Sequence, residues 1–297
     1  MTRGGWAACA LLAIVVGLCA LAPLYARHVS GTDPFRSNPS GQVAGMPVLA
    51  ENPGLGVTPI GPGWRGAYVL GADQLGRDVA ARLLYGGRNS LLIAGTATLL
   101  CLLAALAAGV ISGFLGGAVD SVLSALLDLL WAFPVYLLAI SLAIVLINEG
   151  LRLGPVTIEA DSLLLPALIL GLVYIPYVAR PIRAQVIALR DQEFVQAAVA
   201  TGGSSAHILR RHMLPQVWPT LIGFAPVVAA MTLLTEAALS VLGIGVQPPA
   251  ASWGTLIADG QTLIYSRPWV AIAPGLAVVV TVLALNVVGE AAQAKRA

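Results

Sequence analysis

Two acidic residues interrupt long apolar stretches of this sequence: Asp128 in LLDLLWAFP and Glu236 in LLTEAALSVLG. An ionisable group at membrane depth is costly, usually faces the interior of a helix bundle, and is a candidate for function by default. Two such carboxyl groups are suited to carrying protons, or to acid–base hydrolysis if they converge with separated pKa values. Alternatively, each is neutral or hydrogen-bonded to a neighbouring helix, and the residues alone leave both interpretations open.

Other kinds of catalysis lack the residues that they need. A P-loop requires a lysine directly after a glycine-rich turn, whereas the single lysine of the chain, Lys295, stands in an AKRA tail. A zinc hydrolase needs a cluster of ligands, but His28, His207 and His212 all lie outside the apolar stretches. We therefore predict no catalytic residue, no metal site and no cofactor bound by the chain itself. An intramembrane hydrolase is a minor alternative.

A second polar group of residues precedes an apolar stretch, in VLGADQLGRDVAARLLYGGRNSL (69–91). Asp73 and Asp78 alternate there with Arg77 and Arg82. Asp78 and Arg82 are four positions apart, which is the spacing of an ion pair on a helix. From these residues we predict a solvated amphipathic helix at the membrane surface.

A third polar segment, EFVQAAVATGGSSAHILRRHMLP (193–215), separates two apolar stretches. We expect a helix over 180–200, a break at 202–203, and a second helix that has a serine cap at 204–205 and is ended by Pro215. Alanines at the elbow allow a partner surface to approach closely, while the arginines of the second helix stay exposed. The alternative is an interfacial helix–turn–helix that binds nothing.

The composition places these segments in a membrane protein. Of the 297 residues, 58% are hydrophobic and 10% are charged, whereas soluble domains carry roughly a quarter charged residues. The continuous apolar runs predict an all-α integral membrane protein, because about 20 helical residues cross a bilayer. Six transmembrane helices are expected, over residues 6–24, 90–115, 121–147, 163–179, 217–245 and 269–289. The first also fits a cleavable signal peptide, with Arg3 before it and Ala26 after it.

Short loops decide the orientation, because long loops translocate largely regardless of charge. With the long segment 26–89 set aside, an N-in/C-in arrangement places eight basic residues inside and two, Arg152 and Arg267, outside. The eight are Arg3, Arg180, Arg183, Arg190, Arg210, Arg211, Lys295 and Arg296. The expected organisation is an N-terminal span over 1–25, an external loop or cap over 26–89, a five-helix core over 90–290 with a cytoplasmic loop over 180–216, and a cytoplasmic tail over 291–297.

Small residues and prolines mark packing and kinks along the spans. Gly109, Gly113 and Gly117 recur at intervals of four, which places them on one helix face and lets another helix approach closely. Prolines mark kinks or helix ends, here at Pro134, Pro166, Pro176 and Pro226. These patterns concern packing and say nothing about a substrate.

The segment 193–215 resembles the cytoplasmic coupling loop, or EAA loop, of ABC-transporter permease subunits. That loop has Glu-Ala-Ala, three residues, Gly, nine residues, Ile, one residue and Leu-Pro. Gln196 replaces the usual Glu, and His212 stands where Ile is general, although an Arg-His pair before Leu-Pro is common in peptide permeases. The resemblance assigns to ATPase coupling the residues Glu193, Gln196, Ala197, Ala198, Gly202, Gly203, Ser204, His207, Arg210, Arg211, His212, Leu214 and Pro215.

Three further stretches resemble the second, C-type permease subunit of dipeptide and oligopeptide importers. Residues 70–91 are similar to its Leu-Gly-Thr-Asp-x-x-Gly-Arg-Asp signature, with Ala72 in place of the usual Thr. Residues 236–260 are similar to its other signature, and Asp128 with the Ala-Phe-Pro at 132–134 gives another match. The resemblance assigns to the external face or the pathway the residues Asp73, Gly76, Arg77, Asp78, Arg82, Asp128, Glu236, Pro248, Pro249 and Trp253.

The resemblance implies a non-catalytic subunit with the type I ABC importer permease fold in a prokaryotic cell membrane. Its expected partners are a second homologous permease, two cytoplasmic ATPases that hold ATP and Mg, and an external substrate-binding protein. The coupling helix is expected at about 196–207, and the cargo is expected to be dipeptides or oligopeptides. The alternatives are nickel chelates or glutathione as cargo, or a proton-coupled secondary transporter that uses Asp128 and Glu236.

Overall fold

The computed structural model describes residues 3–52, 56–63 and 66–293. Most of these residues are helical. In chain order the helices are α1 (Arg3–Ala20), α2 (Ala22–Tyr25), α3 (Val79–Leu115), α4 (Gly117–Ala132), α5 (Val135–Glu149), α6 (Leu164–Val173), α7 (Ile175–Arg190), α8 (Glu193–Ala200), α9 (Ser205–Ile208), α10 (Leu214–Val241), α11 (Trp253–Gln261) and α12 (Trp269–Gln293). Two π-helical turns, Ala26–Ser30 and Leu209–Met213, follow α2 and α9.

The helices supply between three and six candidate membrane spans. Three are long and apolar enough alone: Val79–Leu115, Ser205–Val241 and Trp269–Ala292. Three more arise if each bent helix pair is one span, namely Gly4–Ala20 with Ala22–Ser30, Gly117–Ala132 with Val135–Leu146, and Leu164–Val173 with Ile175–Arg190. The expected spans over 6–24, 121–147 and 163–179 are thus broken helices, with bends of 49°, 90° and 43° in that order.

The right-angled bend between α4 and α5 has a local cause. Pro134 lacks an N–H group, and its ring disfavours the helical conformation of the residue before it. Phe133 is accordingly extended, with φ −93° and ψ 139°. The expectation of a helix end is confirmed at Pro134 and at Pro176, which stands in the first turn of α7. Pro226 instead lies inside α10, which continues through it.

The fold is not purely helical, so the all-α prediction needs correction. Three antiparallel hairpins are formed by β1 (Gln42–Val43) with β2 (Met46–Pro47), β3 (Leu49–Asn52) with β4 (Gly56–Pro59), and β5 (Leu151–Leu153) with β6 (Val156–Ile158). In the first, Ala44 and Gly45 have φ of 50° and 80°, the positive values that a two-residue hairpin turn requires. Helix α3 begins at Val79, inside the segment expected as a loop up to residue 89.

Helix α3 is the centre of the bundle and packs on α6, α7 and α10. In lipid, association depends on close packing rather than on the hydrophobic effect, so small residues let backbones approach. A Cβ atom added to Gly109 would lie 2.7 Å from the Ala179 carbonyl oxygen, and one added to Gly113 would lie 2.9 Å from that of Arg183. The close approach predicted at these two glycines is confirmed. It is wrong for Gly117, which begins α4 and has open space beside it.

Candidate functional site

Asp78 fixes the beginning of α3. Its Oδ1 accepts hydrogen bonds from the backbone N–H groups of Ala80 (2.8 Å) and Ala81 (3.2 Å). Its Oδ2 accepts from the Ser30 hydroxyl (2.5 Å) and the Tyr68 N–H (2.9 Å). The residue is completely buried. This carboxylate therefore caps the helix and ties it to Ser30, at the end of the first bent pair, and to Tyr68.

Two arginines and two aspartates form a network beside this cap. The Arg77 Nε lies 2.7 Å from an Asp73 carboxylate oxygen, and the Arg82 Nε lies 3.4 Å from the same oxygen. One oxygen of Asp259, in α11, lies 3.1 Å from an Nη of each arginine. Three of the four side chains are almost inaccessible, while that of Asp259 is 37% exposed. The network joins α3 to α11.

The predictions for this region are therefore wrong in two respects. The helix start is buried rather than a solvated amphipathic surface. The expected pair of Asp78 with Arg82 does not form, because Asp78 caps the helix and Arg82 turns to Asp73 and Asp259. Sequence analysis missed Asp259, since 182 positions separate it from Arg77 and no local spacing points to it.

Gly76 allows the segment around Asn38 to fold tightly against the start of α3. Its φ is +71°, and an added Cβ would lie 2.4 Å from the Asn38 carbonyl oxygen. The Tyr68 hydroxyl donates to the Gly76 carbonyl oxygen over 3.0 Å. Burial raises the pKa of this phenol, which remains the donor. Gly76 is needed here for its backbone conformation and for lack of a side chain.

Glu236 lies where α10 meets α3 and α11. It is completely buried, and its Oε1 accepts from the Ser240 hydroxyl over 2.8 Å. The hydroxyls of Ser90 and Ser252 are close enough to interact with the same carboxyl group. Among the described residues, no donor satisfies its second oxygen. Glu236 is thus a buried polar contact between three helices.

Trp253 lies at the same junction of helices. Its backbone N–H donates to the Ser90 hydroxyl (3.1 Å), and its indole N–H donates to the Leu83 carbonyl oxygen (3.1 Å). The loop before it contains Pro248 and Pro249, joined by a cis peptide bond. The structure therefore gathers Glu236 and Trp253, while the two prolines lead into α11.

Asp128 has a different partner from Glu236. Its Oδ1 lies 2.7 Å from an Nη of Arg180, in an ion pair between α4 and α7. The Asp128 side chain is 68% exposed in this chain, whereas Glu236 is fully buried. The structure thus gives the two acids separate partners, which does not favour a hydrolytic acid pair.

The polar segment 193–215 folds differently from the expected two helices. Instead of one helix over 180–200, α7 ends at Arg190 and α8 begins at Glu193. The break at 202–203 is confirmed, with Gly202 left-handed at φ +80°.

The second half of that segment begins as predicted and continues further. The Ser204 hydroxyl accepts from the His207 N–H over 3.3 Å and caps α9, as expected. Pro215 does not end the helix: it stands in the first turn of α10, and Ser205–Val241 forms one continuous span. Consequently the coupling helix predicted at 196–207 is divided by the glycine turn into α8 and α9.

Helix α8 presents an apolar surface. Val195 is buried and anchors the helix, whereas Phe194 and Val199 are 41% and 59% exposed. Gln196 and Ala197 are exposed beside them. Phe194 and Val199 are therefore free to contact a partner.

The remaining predicted residues of the segment lie around this surface. His212 packs between Phe194 (ring centroids 6.4 Å apart) and His207 (5.8 Å). Gly203 is confined, since an added Cβ would lie 2.8 Å from the Ala198 carbonyl oxygen. Arg210 and Arg211 are exposed, and Leu214 begins α10.

One family model matches most of this architecture. It is described as "Binding-protein-dependent transport system inner membrane component" and matches residues 105–295. The matched range holds Asp128, Glu236 and the whole of 193–215.

Curated relatives are similar over about three quarters of the chain. The chain is 34% identical over 221 residues to the dipeptide transport system permease protein DppC of Alkalihalophilus pseudofirmus. The aligned residues are 74% of this chain and 68% of that protein. The identity and coverage are the same for the oligopeptide transport system permease protein OppC of Bacillus subtilis. The glutathione transport system permease protein GsiD of Pectobacterium atrosepticum is 32% identical to this chain over 245 residues. The aligned residues are 82% of this chain and 77% of GsiD.

Solved structures share the fold. Two crystal forms of the MetNI methionine ABC transporter, described as inward facing, match with TM-scores of 0.55 and 0.57 at 18% and 17% identity. The matches cover 72% and 71% of this chain and 95% of the chain compared. At this level of identity the likeness is one of fold.

Proposed function

We propose, since this chain belongs to the family of binding-protein-dependent transport system inner membrane components, that it is the permease subunit of an ATP-driven importer for dipeptides and oligopeptides. The observation that carries the proposal is the family match over residues 105–295, together with relatives named for peptide transport. The fold is that of type I ABC importer permeases.

The subunit is proposed to act with partner subunits that hydrolyse ATP and deliver the cargo. Two cytoplasmic ATPases would bind ATP and Mg and hydrolyse the nucleotide, so this chain needs no catalytic residue. A second, homologous permease would complete the pathway, and an external binding protein would deliver the cargo. The family description, which names dependence on a binding protein, supports this assembly.

The proposed topology is six spans with both termini in the cytoplasm of a prokaryotic cell. The three long helices and three bent pairs support the number six. Arg190, in the last turn of α7, and Arg210 and Arg211, in the turn that packs on α8, support a cytoplasmic position for the end that carries α8. Lys295 and Arg296, which also favour this orientation, lie outside the described residues. The division into 1–25, 26–89, 90–290 and 291–297 remains a proposal.

We propose that an ATPase binds this subunit at helix α8. Its exposed Phe194 and Val199 would fill a groove on that partner, and the left-handed turn at Gly202 would set its angle to the bundle. Closure of the ATPases would then move α8 and switch the bundle between outward and inward access as a rigid-body transition.

Co-purification tests this proposal. The chain, tagged at its C-terminus, is isolated in mild detergent from its native membrane, and the bound proteins are identified. We expect a second six-helix permease and P-loop ATPases. A lone chain, or a homodimer without ATPases, would contradict the assignment and favour a proton-coupled secondary transporter.

Glutathione is a second candidate cargo, because a relative at 32% identity is named for glutathione transport. Uptake of labelled dipeptide into vesicles, with unlabelled glutathione as competitor, separates the two. We expect dipeptides to compete and glutathione not to compete. No uptake of labelled dipeptide, together with uptake of labelled glutathione, would make glutathione the cargo.

A further inference from the structure

An apolar groove lies between helices α1, α3, α10 and α12. Its volume is about 450 Å³, within the roughly 300–1,000 Å³ of small-molecule sites in proteins. Helices α3, α10 and α12 belong to the three spans that are long and apolar enough to cross a membrane alone, and α1 belongs to a bent pair that passes as one span. The groove therefore lies among membrane-spanning segments, where its walls contact a lipid chain or another apolar helix.

The walls of the groove are apolar and open on one side. Leu12 and Val16 of α1, Leu92 of α3 and Leu233 of α10 are among the residues that line it. Val16 and Leu92 are 50% and 49% exposed, so the described part of this chain leaves them half uncovered. Gly95 adds to the space, because no described atom lies within 4 Å of a Cβ added there. The groove is thus a gap that the described helices do not fill by themselves.

Arg88 lies at one end of the groove. Of the described residues that line the groove, it alone is charged. It precedes Gly95 by seven positions on α3, so about 10 Å separates the two along this unbroken helix at about 1.5 Å per residue. The end of α1 lies at the same level, since a Cβ added to Gly87 would lie 2.5 Å from the Cys19 Sγ. The groove therefore has a basic end and an apolar length.

The Arg88 guanidinium has no partner in the described part of the chain. The residue is exposed, and no described residue forms a hydrogen bond or an ion pair with its side chain. Residues 89–119, which follow it, contain no charged residue. A basic side chain at the edge of such a stretch extends toward the lipid head groups, where its charge stays solvated. The head groups supply phosphate, which a guanidinium can bind with two parallel hydrogen bonds.

We propose that the groove binds an anionic phospholipid. One acyl chain lies along α1 and α3 past Gly95, and the phosphate accepts hydrogen bonds from Arg88. The net charge of the head group matters because a zwitterionic lipid also brings an ammonium group, and the described lining residues include no carboxylate to receive it. A head group such as phosphatidylglycerol is therefore favoured over phosphatidylcholine.

The bound lipid would fasten α1 to the rest of the bundle. Helix α1 packs directly on α12 and α3, and a chain in the groove would contact α10 as well. A ligand that binds the folded state and not the unfolded state stabilises the fold. The inference concerns how α1 is held in the membrane, and it does not depend on the identity of the cargo.

Photo-crosslinking tests the proposal. The chain, with the subunits that co-purify with it, is placed in phosphatidylcholine nanodiscs that contain a minor fraction of phosphatidylglycerol carrying a diazirine in one acyl chain. Labelled residues are identified and quantified by mass spectrometry after irradiation. Phosphatidylcholine with the same diazirine chain is the head-group control.

The variants separate the basic end of the groove from its apolar length. Arg88→Gln removes the charge, Arg88→Lys keeps it, and Gly95→Leu fills the groove. Arg152→Gln is the control for charge, because Arg152 is exposed and lies in the β5–β6 hairpin. Gly275→Leu is the control for bulk, because an added Cβ at Gly275 in α12 also meets open space, and Gly275 does not line the groove.

We expect the phosphatidylglycerol probe to label the α1 and α3 residues that line the groove. Arg88→Gln should lower this labelling by about fivefold, the factor expected of one basic residue at an anionic membrane surface. Gly95→Leu should lower it at least as much, whereas Arg88→Lys and both controls should preserve it. The phosphatidylcholine probe should label the groove about fivefold less than the phosphatidylglycerol probe.

Three results would overturn the proposal. The first is unchanged labelling of the groove in Arg88→Gln and Gly95→Leu, and the second is equal labelling by the two head groups. The third is an unlabelled groove in the unaltered complex, which would mean that a helix of another subunit fills it.

A measurement on the unaltered complex covers the case in which Arg88→Gln does not assemble. Phosphatidylglycerol added to the complex in detergent should raise the midpoint of thermal unfolding more than phosphatidylcholine with the same acyl chains. Equal shifts with the two lipids would count against an anionic site.

Discussion

Asp78 shows how a single residue determines where the central helix begins. A carboxylate that is completely buried requires full compensation by hydrogen bonds, and four donors from four residues supply it. Removing the carboxylate would leave those buried donors without an acceptor, which costs more than the loss of a single bond.

We predict that Asp78→Ala lowers the free energy of unfolding by about 2–4 kcal/mol, from the lost helix cap and the unsatisfied donors. Thermal unfolding of the detergent-purified complex measures this. The control is Asp33→Ala, because Asp33 is exposed and accepts one bond, from the Phe35 N–H. It should stay within about 0.5 kcal/mol of the unaltered protein. Equal shifts for both variants would refute the special role of Asp78.

Several side-chain contacts could not be predicted from the sequence, because they join residues that are far apart along the chain. The sequence shows that the four charged residues of 73–82 are unusual. It does not show that they are buried, because their burial depends on Asp259, far along the chain. The same holds for Arg180, whose contact with Asp128 spans 52 positions. Local spacing predicted an ion pair between Asp78 and Arg82, and a stronger local alternative, the helix cap, replaced it.

At the scale of elements, the contact between α3 and α7 depends on small residues. Gly113 faces the α7 backbone, whereas Gly95, on the same helix, has open space beside it. We predict that Gly113→Ala destabilises the bundle by about 1–3 kcal/mol, because the helices must separate. Gly95→Ala should be neutral or stabilising by up to about 1 kcal/mol, since alanine favours helix. The midpoint of thermal unfolding in detergent distinguishes them, and a larger loss in Gly95→Ala would contradict the packing argument.

The glycine turn after α8 gives a prediction about coupling. Among the described residues, no atom lies within 4 Å of a Cβ added to Gly202, so a larger side chain there has room beside this chain and is expected to obstruct a partner. Gly202→Trp should abolish uptake and ATPase co-purification while the protein still reaches the membrane. Gly56→Trp is the matched control, since Gly56 has φ +67° and no described atom within 4 Å of an added Cβ, but lies in the β3–β4 hairpin. Normal uptake by Gly202→Trp would remove the basis for the coupling role.

The boundaries of elements were the least predictable part. Pro215 was expected to end a helix, since it cannot donate to the preceding turn. The π-helical turn Leu209–Met213 precedes it, and a π-turn of this kind occurs as a bulge within a longer helix. The chain therefore enters α10 without a break. The serine cap at 204 and the glycine break depend on adjacent residues alone, and both were predicted correctly.

Over the whole molecule, long-range polar contacts tie the segment 26–78 and the start of α3 to α11 and the loop that follows it. The network around Asp259 links the start of α3 to α11, and Gln74 contacts Thr262 beside it. The Arg267 side chain also donates to the Pro59 carbonyl oxygen over 2.8 Å. Since α8 instead exposes the apolar side chains Phe194 and Val199, we expect movement to enter the bundle at α8 while the end formed by α11 and the start of α3 stays one body.

This difference between the α8 end and the α11 end matters for coupling only if the two ends lie on opposite sides of the membrane. We predict that they do. Starting from a variant without Cys9, Cys19 and Cys101, single cysteines are placed at Ser37, in the external segment, and at Ala197, in α8. Both positions are exposed, so their access to reagent is comparable. In intact cells a membrane-impermeant maleimide should label Ser37→Cys and leave Ala197→Cys unlabelled, and permeabilisation should make both reactive. The reverse pattern would invert the orientation and place the proposed ATPase contact outside the cell, where ATP-driven coupling through α8 could not operate.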